Sequence, residues 1–145
     1  WDLDPGAVEK AYARYRTEGG ALPLILDLCN PTPNLGWDLN ERSSWEARGP
    51  ARTILALALL HHLAIGSNIP LERIASLFSR LGEWAIVEFI PKDDPQVRRL
   101  LASRKDVFPN YTEDCFLHEF EQVFDRVTGG PIKDSKRSIW VFRRR

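Results

Sequence analysis

The chain has 145 residues, 43% hydrophobic and 28% charged, the size and make-up of one soluble globular domain around a single core. Twenty Lys and Arg balance twenty Asp and Glu, and a net charge of zero argues against a protein that coats duplex nucleic acid, which needs a basic excess. Two cysteines, Cys29 and Cys115, are too few for a disulfide scaffold and lack zinc spacing, and the longest apolar stretch, residues 53–65, is too short to span a bilayer.

The first residue is Trp and the chain contains no Met, so the N-terminus is expected to be a cut end rather than a natural start. Residues 1–4 look like the tail of a strand. Asp4-Pro5-Gly6 then opens a helix, with Asp4 as N-cap and Pro5 in the first turn. Ala7, Val8, Ala11, Tyr12 and Tyr15 recur at helical spacing until Gly19-Gly20 stops the helix. The run LPLILDL, residues 22–28, predicts a buried strand. Residues 30–50 are a long loop with three prolines and two glycines, and Trp37 and Trp45 in it argue against disorder.

TILALALL, residues 53–60, predicts a second buried strand, although its composition also allows a helix. A helix from Pro70 through Leu81 follows, with Leu71, Ile74, Ala75, Leu77 and Phe78 inward. WAIVEFI, residues 84–90, is a third strand that Pro91 ends. Residues 95–104 form a helix with Val97, Leu100 and Leu101 inward. Residues 112–124 form another, capped by Thr112, with Phe116, Phe120 and Phe124 on one face. Residues 123–128 start a short strand, Gly129-Gly130-Pro131 turns the chain, and SIWVF, residues 138–142, is the last strand. Arg143–Arg145 reads as a solvated tail. Alternating strands and helices predict an α/β fold, mostly parallel, with an antiparallel closing pair.

Ligands in open α/β sheets lie beyond the carboxyl ends of the strands, and four places fit that rule. Asp2 is placed to accept both hydroxyls of a ribose, while Asp4 suits a helix cap. Asp27 either meets an adenine amino group or starts the turn into Asn30-Pro31. His61 and His62 follow the second apolar run as candidates for a general base or for ordering a turn. Being adjacent, they cannot both point one way, and no metal site is expected. Glu88 interrupts WAIVEFI, with Lys92, Asp93 and Asp94 behind it; it is either a paired structural acid or a polar group at the site. There is no GxGxxG, GxxxxGK[ST], HExxH or GxSxG. The residues alone therefore reach a nucleoside-like ligand at an α/β crevice.

The same segments resemble class I S-adenosylmethionine-dependent methyltransferases. WDLDPGAVEKAY resembles their second strand and following helix, LILDLCNP their third strand, TILALALLHHLAI their fourth, and WAIVEFIPKDDPQV their fifth with the helix after it. KDSKRSIWVFRRR is similar to their closing antiparallel hairpin. DLCNPTPNLGWDLNERSSW and HHLAIGSNIPLERIA resemble a narrower group of methyltransferase-like proteins that includes nodulation-protein relatives of the NoeA type. The resemblance implies a Rossmann-like methyltransferase sheet and S-adenosyl-L-methionine as cofactor. By it, Asp2 and Leu3 hold the ribose and adenine, Asp27 and Leu28 hold the adenine, and residues from Ala58 and Leu59 to His62 border the methionine part. It makes His61 or His62 the candidate base.

The family's first strand and glycine-rich turn would precede Trp1, and Arg52 stands where the family often has an acid. That strand lies between the second and fourth, so three outcomes are expected: direct pairing of those two, a second chain or homo-oligomer filling the gap, or a distorted domain. The expected function is transfer of a methyl group to an unidentified acceptor, in the cytoplasm, with no membrane or nucleic-acid partner. The alternatives are a non-catalytic module of the same fold acting through protein contacts and, more weakly, a dehydrogenase-like nucleotide-binding domain.

Overall fold

The computed structural model describes residues 1–145, and the chain divides into two units, Trp1–Arg48 and Gly49–Arg145. In the first unit, helix α1 spans Pro5–Glu18. The Asp4 carboxylate accepts the Gly6 N–H at 2.8 Å, satisfying one of the donors that a helix leaves open at its start. Gly19, at φ 72°, ends the helix and donates to the Tyr15 carbonyl at 2.8 Å. None of its side chains is fully buried.

The strand expected over residues 22–28 does not form. Its only ladder contact is a single parallel bridge between Asp2 and Ile25, and Leu22 and Ile25 stay 70% and 58% exposed. A continuous apolar run makes a buried strand only with neighbours along its edges and cover on its faces. Within this unit the run has one bridged residue as its neighbour. Residues 30–48 are irregular, with one antiparallel bridge from Leu35 to Arg42 and two short 3-10 turns, Trp37–Leu39 and Glu46–Arg48. Trp1 and Trp45 meet edge to face at 5.5 Å.

The second unit is built on four strands and three helices. In chain order they are β1 (Ala51–Ala56), α2 (Leu71–Leu81), β2 (Gly82–Phe89), α3 (Pro95–Ala102), α4 (Glu113–Glu121), β3 (Phe124–Pro131) and β4 (Ser138–Arg144). The sheet order is β1-β2-β4-β3. β1 and β2 run parallel, joined through α2, whereas β2–β4 and β3–β4 are antiparallel. The sheet is thus mixed, and the expectation of a mostly parallel sheet is corrected: only one strand–helix–strand crossover is completed. Within the second unit, β1 has β2 as its one strand partner.

The apolar run at 53–60 divides between two structures. Strand β1 ends at Ala56, and the chain then turns through Ala58 (φ 50°) into a π-helical turn at His62–Gly66. Only the first half of the expected strand forms, and the helical turn begins where the run ends. β1 is an edge strand, not a buried one; Leu55 is 65% exposed.

Residues Ala85, Val87 and Phe89 of β2 and Phe142 of β4 face α2 and α4 and are buried. The steps of four in α4 deliver Phe116 and Phe120 to this layer, where their rings lie 4.7 Å apart and Phe120 meets Phe142 at 5.3 Å. Phe78 of α2 and Phe124 close the layer, Phe124 as the first residue of β3 rather than in a helix. Each such ring contributes about 2–3 kcal/mol by leaving water. Gly129-Gly130-Pro131 is not the turn but part of β3, paired with Trp140, Ile139 and Ser138; the chain reverses over 132–137. Gly129 (φ 147°) lies under Trp140, whose Cε3 would be 2.6 Å from any added Cβ. Arg143 and Arg144 belong to β4, not to a tail, and Arg143 lies over the Trp84 ring at 5.6 Å. No helix is long and apolar enough to cross a membrane.

Candidate functional site

Parallel pairing aligns the carboxyl ends of β1 and β2, with Ala56 beside Val87. One residue past this last pair, Glu88 projects from β2, only 9% exposed. Its Oε2 accepts the Ala58 N–H at 2.7 Å, and its Oε1 accepts from Arg137 Nη1 at 3.2 Å. Arg137 comes from the loop between β3 and β4. Its Nε donates to Asp94 Oδ2 at 2.8 Å, and its Nη2 reaches Asp94 Oδ1 at 3.4 Å. Asp94 is buried and also caps α3, accepting the Gln96 N–H at 2.8 Å. One guanidinium therefore ties together the ends of β2 and α3 and the β3–β4 loop.

Burial raises the Asp94 carboxyl, but hydrogen bonds from Arg137 and the Gln96 N–H outweigh it and hold the group below the usual aspartate range. Arg137 is raised in turn, chiefly by its hydrogen bond to Asp94. Tyr111 donates its hydroxyl to the Ile90 carbonyl at 3.0 Å and stacks on Phe89 at 5.2 Å. Its pKa is raised by burial first and by the Asp94 charge second.

The turn that Glu88 holds leads directly into the two histidines. Ala58 occupies the left-handed region, which costs an L-residue about 1–2 kcal/mol. His61 is 2% exposed and His62 is exposed, so the pair does split between inside and outside. Their rings nevertheless lie side by side, centroids 4.2 Å apart and tilted by 39°. Burial, then the neighbouring His62 and Arg137, lower His61 to about 4 against the pull of Asp94 and Glu88. The imidazole is neutral at pH 7, and its buried Nδ1 has no hydrogen-bond partner. Beside the turn, a groove of about 420 Å³ is lined by Ala64, Ile69, Leu71, Phe108, Asn110 and Tyr111.

In the first unit, one parallel bridge joins Asp2 to Ile25, with the Leu26 N–H donating to the Asp2 carbonyl at 3.1 Å. Asp2 Oδ1 accepts the Asp4 N–H at 2.9 Å, and Asp27 Oδ1 accepts the Cys29 N–H at 2.8 Å, forming the turn that sequence offered as one reading of Asp27. Leu3 is 63% exposed, while Asp27 and Leu28 are half-buried. The predicted residues therefore fall into two groups. Asp2, Leu3, Asp27 and Leu28 gather in the first unit, and Ala58, Leu59, His61 and His62 gather in the second, with Leu59 half-buried and Ala58 exposed.

Sequence reasoning found Glu88 but missed Arg137 and the role of Asp94 as its partner. The available signal was the acid itself: a buried carboxylate in an apolar strand requires a cation or several donors. Nothing local identified which cation, because Arg137 lies 49 residues downstream.

Compared with known proteins, the chain matches no family model and no solved structure. It is 40% identical over 145 residues to the protein named "Nodulation protein NoeA" of Rhizobium meliloti (strain 1021), an alignment that takes in 99% of this chain. The chain spans 30% of that relative's length.

Proposed function

We propose that the chain is part of an S-adenosylmethionine-dependent methyltransferase that acts on an unidentified acceptor. The observation that carries this reading is the strand order. A parallel β1–β2 pair joined through a helix, then β4 and β3 added antiparallel, follows the fourth strand, fifth strand and closing hairpin that the sequence resembles. The reading keeps the protein in the cytoplasm, where two thiols suit a reducing compartment.

Two carboxylates of the first unit support the cofactor reading. Asp2 and Asp27 each accept a backbone N–H on one oxygen, and carboxylate oxygens suit ribose hydroxyls and an adenine amino group. By the same reading Leu3 and Leu28 of the first unit flank the base. When bound, the cofactor supplies an electrophilic methyl group on a sulfonium. The chain's own contribution is to position the acceptor, exclude water and receive a proton. His62, the exposed ring, is the one an acceptor can reach. His61 stands behind it as a neutral imidazole and orients it through the ring contact.

The test is calorimetric titration of the 145-residue chain with S-adenosylhomocysteine, alongside an Asp2→Ala variant. Binding to the wild type that weakens at least about 10-fold in the variant is expected, since a hydrogen bond to a charged group is worth about 1.5–3 kcal/mol. Absence of binding to the wild type overturns the reading for this chain. One observation favours a second reading, a non-catalytic module acting through protein contacts: Leu55 and Leu57, at and just beyond edge strand β1, are 65% and 53% exposed.

A further inference from the structure

We infer that Glu88 is a positioning residue: its carboxylate fixes the turn that presents His61 and His62, and Arg137 aims that carboxylate at the turn. The inference rests on reading the histidine pair as the acceptor side of a methyltransferase.

The turn is short of other restraints where it most needs them. β1 gives up its ladder after Ala56, and Ala58, an L-residue, is held at φ 50°. The side-chain contact on that residue's backbone is the Glu88 hydrogen bond at 2.7 Å. One residue later the geometry is transmitted directly. The Leu59 carbonyl accepts the His62 N–H at 3.0 Å and the Leu63 N–H at 3.2 Å, so the orientation at 58–59 sets where the helical turn starts. Leu60, fully buried, anchors the turn from below.

The carboxylate has two oxygens and divides them between two tasks. Oε2 takes the Ala58 N–H, while Oε1 takes Arg137, which is itself gripped on two nitrogens by Asp94. A lone carboxylate on a strand end could rotate about its terminal torsion. One engaged on both oxygens cannot do so without breaking a charge-assisted bond. The β3–β4 loop and the start of α3 thus brace the histidine turn through the Glu88 carboxylate. Neither Glu88 nor Arg137 needs to meet the acceptor, and no proton passes through them.

The test uses the isotope-labelled full chain and two variants, Glu88→Ala and Glu88→Gln, followed by nuclear magnetic resonance. In Glu88→Ala the Ala58 amide is expected to exchange at least about 10-fold faster, the scale of one charge-assisted hydrogen bond. The His61 and His62 ring resonances shift with it, while the Ile74 and Phe78 amides of α2 keep their wild-type protection. Glu88→Gln retains the side-chain length and an acceptor oxygen but loses the charge facing Arg137. It carries the test if the alanine variant does not fold, and the expected result is an upfield Ala58 amide with displaced histidine resonances. An unchanged Ala58 amide and unchanged rings in the glutamine variant overturn the proposal. Acceleration spread equally over α2 also overturns it, because that marks a general loss of stability. Titration with S-adenosylhomocysteine is a separate arm. Failure of the wild type to bind overturns the methyltransferase reading, whereas the amide and ring results judge Glu88 in the free protein.

Discussion

His61 carries an unfavourable arrangement: a buried ring whose Nδ1 has no partner. Its cost is visible as a pH dependence. The unfolded chain protonates this ring as the pH falls through about 6.5, but the folded chain resists until about 4. The stability it contributes is complete above the first value and is lost between the two, at most about 3 kcal/mol. The urea midpoint should fall as the pH drops across that window, and His61→Gln should flatten that part of the profile. Arg137 makes the opposite prediction, one that does not depend on titration near neutrality. Arg137→Met would leave the largely buried Glu88 and Asp94 carboxylates without their shared cation, and should destabilise the chain by about 3 kcal/mol, read from denaturant unfolding at pH 7. At this scale the sequence was half legible. Glu88 announced itself by breaking an apolar run, and Asp4 and Thr112 announced themselves as caps. A guanidinium supplied from a distant loop leaves no local mark.

Among the elements, helices were easier to read than strands. α1 starts and stops where Asp4-Pro5 and Gly19 predict, and α4 begins after Thr112, whose hydroxyl accepts the Cys115 N–H at 3.2 Å. Helix ends are set by groups within a few residues, so they are written locally. Strands depend on partners. LPLILDL has the composition of a buried strand and forms one bridge. Gly129-Gly130-Pro131 has the composition of a turn and lies in a ladder, because Trp140 needs the space that a side chain at 129 would fill. Gly129→Ala is accordingly expected to lower stability by about 1–3 kcal/mol through the clash with the Ile139 carbonyl and the Trp140 ring, seen as a lower melting temperature. Gly130→Ala, with open space at its Cβ, should cost less. The phenylalanine layer is the other decisive element. Phe120, fully buried and in ring contact with Phe78, Phe116, Phe124 and Phe142, should lose about 3–5 kcal/mol on truncation to alanine.

For the molecule as a whole, the two units differ in how much they bury. The second holds all nineteen of the buried hydrophobic residues, from Ala56 to Phe142. The first holds none, and α1 buries no side chain fully. Local opening follows such differences. Hydrogen exchange should therefore show α1 amides exchanging well ahead of those in α2 and β2, and equal protection of α1 and β2 would contradict the division. The α/β class, the closing antiparallel pair and the crossover through α2 were legible from the alternation of patterns. The number of parallel strands was not, because an apolar run states that it can be buried but not what lies beside it.

Strand β1 leaves one row of backbone donors and acceptors without a ladder, next to exposed Leu55 and Leu57. The residues TILALALL are rich in apolar side chains and hold neither proline nor charge, the profile of a segment that stacks into cross-β fibrils. Arg52 at the strand's start is the nearest gatekeeper. Concentrated solutions of this chain should develop thioflavin-positive aggregates with a lag time, and Leu55→Lys should lengthen that lag while leaving the phenylalanine layer untouched.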